Sequence, residues 1–248
     1  MASKIIVDQL QKTGGSTTAL TLPTSNASAS EFLQNDGAGA LSWASAGGGL
    51  AGVQVYTSVG SGNTWTKSSR ESTLGVTIAK VIVEVQGGGA GGSKDATGTE
   101  QIGGSAGGYA KKLLDVSGVT SATITVGAGG AGATSTNNPG GDGTDSSWVD
   151  SVHTDVKGLK GVGGNTAGTG PAGGLGTGGD INIQGGRGGM YINGQAGSSQ
   201  FGHGGQNWSI VSNMNDAVGY GAGGGSVETG AGDGGDGGQG IVVVWEYK

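Results

Sequence analysis

The amino-acid sequence predicts an all-β protein that also contains polyglycine II helices. Glycine recurs at every third position from Gly158 to Gly179, where Ala167 is the only substitution, and it supplies 61 of the 248 residues. A period of three residues fits neither the α-helix nor the β-strand, but it fits the three-residue turn of polyproline II. Strand-like alternation at 79–86 and 240–247 flanks the glycine-rich half. We therefore expect a small β platform that encloses a glycine bundle.

The glycine tracts are expected to run side by side between the strands. Polyproline II helices make no internal hydrogen bonds, so buried tracts must bond laterally, and glycine lets their backbones approach. The expected tracts are 87–92, 103–108, 127–132, 158–179, 185–189, 219–225 and 230–240. Collagen is rejected because it needs roughly 15–20 % proline, and this chain has three prolines. Disorder is the remaining alternative, since the composition is typical of flexible linkers.

The first 46 residues are predicted to form a separate β module. Ile5–Val7 is a short candidate strand, and the turn signal Asn35-Asp36-Gly37 lies inside a predicted hairpin. Its flanking apolar residues are Phe32, Leu33, Leu41 and Trp43. Residues 47–52 are interpreted as a glycine-rich linker, and 53–248 as the glycine-rich domain.

The platform strands are predicted near 53–86, 109–126 and 240–247. The segments GVQVYT and NTWTK are expected to form a hairpin around Gly60-Ser61-Gly62. In 79–86, Val81, Val83 and Val85 share one face, and in 121–126 Ala122, Ile124 and Val126 point inward. Both faces of 240–247 are largely apolar, which is typical of a central strand. This strand is expected to pair with 79–86.

Composition and motifs argue against several classes of function. The chain has no cysteine for disulfides or thiolate metal sites, and no apolar run approaches the ~20 residues of a membrane span. With a net charge of −6 and no basic patch, nucleic acid is not an expected partner. The first residues, MASKIIVDQL, lack the apolar core of a signal peptide.

Catalytic residues, cofactors and metal ligands are likewise not expected. The chain has no GxxxxGK[ST] or GxSxG motif, and GxGxxG matches arise by chance in so glycine-rich a sequence. His153 and His203 lack metal-ligand spacing. GDGGDGGQG resembles a calcium-binding nonapeptide, but it does not repeat, so Asp233 and Asp236 are interpreted as solvated edge residues.

Aromatic and amide side chains that interrupt the glycine tracts are the candidate receptor-binding residues. Rings supply contact area while amides supply directional hydrogen bonds. The candidates are Tyr191, Asn193, Phe201, His203, Asn207, Trp208 and Met214. An alternative is that Trp208, Ile210, Val211 and Met214 form a local mini-core or a trimer contact.

Several motifs, in this order along the chain, resemble the glycine-rich domain common in bacteriophage tail-fibre proteins. They are GNTWTK, the strand that runs into Gly87-Gly88-Gly89, TITVGAGGAG and the closing GIVVVWEY. The segment LTLPTSNASASEFLQNDGAGALSW also resembles a short module near the start of many phage fibre proteins.

The resemblance implies a non-catalytic virion tail fibre or fibre tip that binds a glycan or outer-membrane protein on the host surface. It implies a homotrimer, attachment to other virion tail proteins through the N-terminal module, and release by lysis of the host. A structural virion component, such as a capsid fibre or decoration protein, is the alternative. A third hypothesis is ice binding, which requires a flat face of small residues.

Overall fold

The computed structural model of the chain describes residues 9–10, 20–27, 31–35, 40–45, 49–95, 101–165, 169–190, 195–206, 215–228 and 232–248. The chain divides into two compact units, Met1–Gly49 and Leu50–Lys248. Their boundary lies inside the segment predicted as a linker.

The smaller unit contains two antiparallel pairs of strands. Strand β1 (Gln9–Leu10) pairs with β2 (Leu20–Thr21), and β3 (Glu31–Asn35) pairs with β4 (Leu41–Ser45). The second pair confirms the predicted hairpin strands, with Leu33 opposite Trp43. The indole of Trp43 donates to the carbonyl of Ser25 at 2.6 Å. The predicted strand Ile5–Val7 lies outside the described residues.

The larger unit consists of strands, a short helix and glycine tracts. Its elements are β5 (Leu50–Tyr56), β6 (Gly60–Thr66), α1 (Lys67–Leu74), β7 (Lys80–Gln86), β8 (Lys94–Asp95), β9 (Tyr109–Asp115), β10 (Ser121–Val126), β11 (Ser146–Asp150), β12 (Val156–Gly158), β13 (Gly176–Thr177), β14 (Ile181–Ile183), β15 (Phe201–His203), β16 (Val218–Tyr220), β17 (Val227–Glu228) and β18 (Ile241–Tyr247). We call its two five-stranded sheets the platform, and its glycine tracts the bundle.

The first sheet of the platform has the order β14-β9-β7-β18-β5. Strand β18 lies between β7 and β5, which confirms both the predicted pairing of 79–86 with 240–247 and the interior position of the last strand. The predicted inward faces are also confirmed, because Val81, Val83 and Val85 are fully buried. These side chains pack against the second sheet and form the core of the unit.

The second sheet has the order β13-β12-β11-β10-β6. The predicted hairpin between GVQVYT and NTWTK is therefore wrong, since β5 belongs to the first sheet and β6 pairs with β10. The physical reason is Trp65 on β6, which is completely buried with its ring centroid 5.4 Å from that of Trp148 on β11. This packing holds β6 in the sheet that contains β11.

Two further predictions near this point are corrected by the structure. Residues 50–52 are not linker but the start of β5, where Gly52 lies opposite Glu246. A Cβ at Gly52 would lie 2.8 Å from the Glu246 carboxylate and 3.0 Å from the Leu74 side chain, so the close approach of these side chains, rather than flexibility, favours glycine here. The segment Lys67–Leu74, predicted within the β region, is the helix α1.

The helix is held by contacts that are remote in sequence. Arg70 donates from Nε and Nη2 to the two carboxylate oxygens of Glu246, at 2.8 and 2.7 Å. Glu246 is completely buried, and its Oε1 also accepts a hydrogen bond from the Trp65 indole at 2.8 Å. Because this anchor lies 176 residues away, local sequence patterns gave no sign of it.

The 87–93 tract lies inside the bundle with neighbouring tracts on all sides. Its backbone N–H groups donate in three directions that repeat every third residue, as the predicted polyglycine II geometry requires. Gly87 and Ala90, for example, donate to Gly108 and Ser105 at 2.9 and 3.0 Å. The receiving tracts are 102–108, 141–144 and 235–238, and the tracts that donate to 87–93 carbonyls are 130–133, 161–164 and 224–227. The predicted side-by-side arrangement is therefore confirmed in the described residues.

The same three-residue rotation recurs in the returning tract 103–108. Its N–H groups donate in turn to carbonyls in three tracts, two of which also donate to the 87–93 tract, at 2.8–3.0 Å. These receiving tracts are 186–189, 221–224 and 159–162. The bundle also contains tracts that the sequence pattern does not predict, including 140–144. Lateral bonding thus extends beyond the segments with an unbroken glycine period.

Asp150 at the end of β11 is expected to make the unit sensitive to acid. Burial by itself raises the pKa of this carboxyl, but N–H donors from Trp148, Val152 and His153, at 2.7–2.8 Å, outweigh burial and hold the pKa below its ordinary value. A carboxyl whose pKa is lowered in the folded state stabilises that state at pH values above its unfolded pKa of about 3.9. This contribution is lost as the pH falls through the folded-state pKa.

Replacing Asp150 is therefore expected to reduce the loss of stability on acidification. Urea unfolding at neutral pH and near pH 3 should show a smaller difference for Asp150→Asn than for the natural protein, because the variant lacks the titrating carboxyl. An equal or larger difference for the variant would contradict this assignment.

Candidate functional site

The path of the chain through the bundle carries tracts away from the platform and back to it. Tract 87–93 runs away from β7, and tract 102–108 returns to β9, with Gly87 bonded to Gly108 beside the platform. Tract 127–133 likewise leaves β10, and tract 140–144 leads back to β11, with Thr144 bonded to Ala128. We call the end of the bundle remote from the platform the distal end.

Hydrogen-bond register shows which residues meet at the distal end. Strand β17 pairs in parallel with β8, so Glu228 lies beside Asp95. Antiparallel bridges join Ile102 to Met190, Gln195 to Gln206 and Lys94 to Asn138. The described residues that flank 96–100, 166–168, 191–194, 207–214 and 229–231 therefore all lie at or near this end.

A groove of about 510 Å³ lies beside the distal end. It is formed where the pair β15–β16 continues into the tract 204–206, because His203 lies opposite Val218 and Gln206 lies opposite Gln195. Its lining residues are Gln195, His203, Gly204, Gly205, Gln206, Asp216 and Val218. Val218 is 69 % exposed, which is the largest exposure among the large apolar side chains in the described part of the chain.

The acidic side chains near the groove are held by the bundle. Asp216 accepts from the backbone N–H of Asp236 at 2.9 Å, and Asp236 accepts from that of Gly132 at 2.7 Å. Lys94 forms an ion pair with Asp233 at 3.1 Å and also donates to the carbonyl of Thr134. The groove thus offers amides, an imidazole, an oriented carboxylate and an apolar side chain on a backbone fixed by lateral hydrogen bonds.

Of the receptor-binding candidates proposed from the sequence, the structure places some at the groove and others elsewhere. His203 lines the groove and is exposed. Phe201, two residues earlier, packs edge-on against Tyr109 with ring centroids 5.8 Å apart. Its position beside β9 is at the platform side, so the structure does not bring it together with His203 in the groove. The other candidates, Tyr191, Asn193, Asn207, Trp208 and Met214, lie outside the described residues.

Tyr109, against which Phe201 packs, is itself fixed by burial and by a hydrogen bond. Its ring is almost completely buried, and its hydroxyl donates to Glu84 at 2.8 Å. Burial, followed by this hydrogen bond, raises the pKa of Tyr109 well above its ordinary value. The Phe201 ring is therefore part of the packing that joins the bundle to β9.

Sequence reasoning missed four residues of the groove. Gln195, Gln206, Asp216 and Val218 line it, although none of them stands out in a local pattern. They meet only because 195 pairs with 206 and because β16 returns beside β15. The sequence feature that could have identified these four residues is their position next to the interruptions of the glycine tracts.

The described residues contain no group of three histidine, aspartate or glutamate side chains that could hold a metal ion. No helix among them is long and apolar enough to cross a membrane.

The sequence matches the glycine-rich domain family over residues 71–247, and no curated protein matches it. The match begins within α1, covers the bundle and ends in β18, so it includes the glycine tracts and most platform strands. Since it spans more than two thirds of the 248 residues, the chain belongs to the glycine-rich domain family.

Proposed function

We propose that this chain is a phage tail fibre or fibre-tip protein that binds a host-surface receptor through the distal end, without catalysis. The observation that carries the proposal is the convergence of described tract ends, including Asp95, Met190, Gln195, Gln206 and Glu228, at one end of a laterally bonded bundle. Connections between rigid elements tolerate sequence variation and commonly carry binding residues. The resemblance to phage fibre proteins supplies the biological context.

The chemistry of the groove supports recognition of a glycan or a polar protein surface. Amides, the imidazole of His203 and the carboxylate of Asp216 can form directional hydrogen bonds, while Val218 supplies apolar contact area. The candidates Tyr191, Asn193, Asn207, Trp208 and Met214 belong to segments whose described neighbours lie at the same end. Phe201 is left out of the proposed site because it packs against Tyr109.

Multivalency would allow sites that each bind weakly to hold the protein on the cell surface. In the proposed homotrimer, one bound site raises the effective concentration of the other two at the cell surface. The unit Met1–Gly49 would attach the protein to other virion tail proteins, and lysis of the host would release the assembled virion. This assigns virion attachment to the N-terminal unit and receptor binding to the bundle.

Cell binding by the purified full chain tests the proposal. We expect fluorescently labelled protein to bind host bacteria and to block infection by the phage. His203→Ala and Asp216→Asn should each weaken cell binding about 5-fold or more, since a lost polar contact in an interface typically costs about 1 kcal/mol. Asn at position 216 keeps an oxygen that can accept from Asp236, so the bundle is expected to remain folded.

Asp155→Asn is the matched control for Asp216→Asn. Asp155 is a partly exposed carboxylate that pairs with Lys157 beside β12, and its replacement should leave cell binding unchanged. Absence of cell binding by the natural protein, together with labelling of phage capsids, would favour the structural virion component instead.

A further inference from the structure

A small pocket lies at the platform side of the bundle and shares no lining residue with the groove beside the distal end. Its volume is about 140 Å³. It forms where Ile183 on β14 lies opposite Tyr109 on β9 and the chain leaves the sheet. We call it the platform pocket. The described residues that line it are Gly107, Tyr109, Ile183, Gln184, Gly185, Ser198, Ser199 and Gln200.

The wall formed by residues 198–200 is held in place on both sides of the pocket. The carbonyl of Ser198 accepts a hydrogen bond from the backbone N–H of Gly186 at 2.9 Å, which fixes this wall beside the tract that follows β14. Phe201, the next residue after the wall, packs against the Tyr109 ring at the floor of the pocket. The pocket is therefore formed before a ligand arrives, so binding does not have to order its walls.

Three side chains of the platform pocket keep polar atoms for a ligand. Gln200 is exposed, and its amide has no partner among the described residues. Gln184 donates from Nε2 to the carbonyl of Gly173 at 3.1 Å, which leaves its Oε1 as an acceptor. Ser198 accepts from the N–H of Gly204 at 3.3 Å, which leaves its hydroxyl hydrogen as a donor. The pocket thus offers both donors and acceptors on neutral groups.

The described residues of this pocket favour a neutral ligand. None of them carries a charge at neutral pH. The Tyr109 hydroxyl at the floor already donates to Glu84, and that carboxylate pairs with Lys111 at 3.2 Å. A charged ligand would lose water here without gaining a partner of opposite charge. Ile183 is 41 % exposed and supplies apolar contact area.

We propose that the platform pocket binds one neutral sugar ring, such as a hexopyranose at the end of a glycan. The hydroxyl groups of this ring both donate and accept, as the amides and the serine hydroxyl of the pocket do, while its C–H groups contact Ile183. The volume of about 140 Å³ is well below the roughly 300–1,000 Å³ of pockets for larger ligands, which limits the occupant to a single ring. A ligand of about twelve non-hydrogen atoms is expected to bind with a Kd of roughly 1–10 mM.

Ligand-detected NMR on the full chain tests the proposal. Saturation transfer to the methyl glycosides of glucose, galactose and mannose measures binding, and titration gives the Kd. We expect at least one of them to bind in the millimolar range. Glucuronate and glucosamine, which carry opposite charges, should each bind about 5-fold or more weakly, because neither charge finds a partner in the pocket. Absence of transfer to all three glycosides, or tighter binding of a charged sugar, would overturn the proposal.

Gln200→Ala and its matched control Gln206→Ala locate the bound sugar. Both variants remove an exposed amide, but Gln200 lines the platform pocket and Gln206 lines the distal groove. We expect Gln200→Ala to weaken glycoside binding about 5-fold or more through lost hydrogen bonds, and Gln206→Ala to leave it unchanged. Near-UV circular dichroism checks that both variants are folded. An unchanged Kd for Gln200→Ala, or a loss confined to Gln206→Ala, would contradict the assignment.

Side-chain amide signals in the ¹⁵N-labelled natural chain give a second measurement that needs no variant. Those of Gln184 and Gln200 should shift during the glycoside titration, and shifts confined to Gln195 and Gln206 would place the sugar in the distal groove instead. This result is separate from receptor binding at the distal end. His203→Ala should lower cell binding but keep the glycoside Kd, so failure of one proposal is distinguishable from failure of the other.

Discussion

Gly89→Ala is expected to lower the free energy of unfolding of the larger unit by about 3 kcal/mol or more, and it is expected to prevent folding if the reserve is smaller. Gly89 lies in the 87–93 tract, where its N–H donates to Gly238 and its carbonyl accepts from Gly130. A Cβ on Gly89 would collide with the backbone carbonyl of Ala222. A flexible side chain could rotate away, but a backbone bonded on several sides can move only if neighbouring tracts separate.

Two other glycines provide matched controls for this substitution. An added Cβ at Gly62 in β6 meets nothing within 4 Å, and Gly62→Ala should be neutral or stabilising by about 0.5 kcal/mol through the unfolded chain. At Gly141 the nearest atoms to such a Cβ are the N and O of Ala131 at 3.2 Å, so an intermediate cost is expected. Urea unfolding followed by near-UV circular dichroism measures all three variants, and similar losses for Gly89→Ala and Gly62→Ala would refute the steric argument.

Arg70→Met is expected to destabilise the platform by about 3 kcal/mol, since it leaves the buried Glu246 carboxylate without its cationic partner. The hydrogen bond to Glu246 raises the pKa of Arg70, as a favourable ion pair requires. After the substitution, the Trp65 indole remains as a donor to Glu246. One neutral donor does not compensate a carboxylate that is completely removed from water.

The double variant Arg70→Met with Glu246→Gln separates the charge effect from the loss of arginine packing. Neutralising Glu246 in the absence of Arg70 should restore part of the lost stability, because no buried charge then remains unpaired. Lys160→Met is the exposed control. Its pair with Asp142 has the same 2.7 Å separation as Arg70–Glu246, but both side chains are more than 40 % exposed. Its midpoint of urea unfolding should stay unchanged. A double variant less stable than Arg70→Met would contradict the burial argument.

The sequence predicted the elements whose pattern is local. The period of three identified the lateral bundle because each N–H of a three-fold helix points in a direction that repeats every third residue. Alternation identified the paired strands 79–86 and 240–247, and the tight-turn signal located the strands of the N-terminal hairpin. These features depend on residues close to one another in the chain.

The elements that sequence reasoning missed depend on remote contacts. The local pattern predicts a β5–β6 hairpin, yet Trp65 packs against Trp148 and places β6 in the other sheet. The helix α1 is anchored by Glu246 from the last strand. The sequence predicts Phe201 as a binding residue because it interrupts the glycine tracts, but its ring packs against that of Tyr109.

By itself, the sequence determined that this chain has β strands around a laterally bonded glycine bundle, because backbone periodicity fixes the directions of hydrogen bonding. Only the tertiary structure decided which tracts meet, that described tract ends converge at the distal end, and that His203 shares a groove with Gln195, Gln206, Asp216 and Val218. A three-residue period specifies where an N–H points, but the carbonyl that receives it belongs to a tract folded from elsewhere in the chain. The scaffold is therefore specified by local sequence, whereas the site forms only when tracts that are remote in the sequence come together.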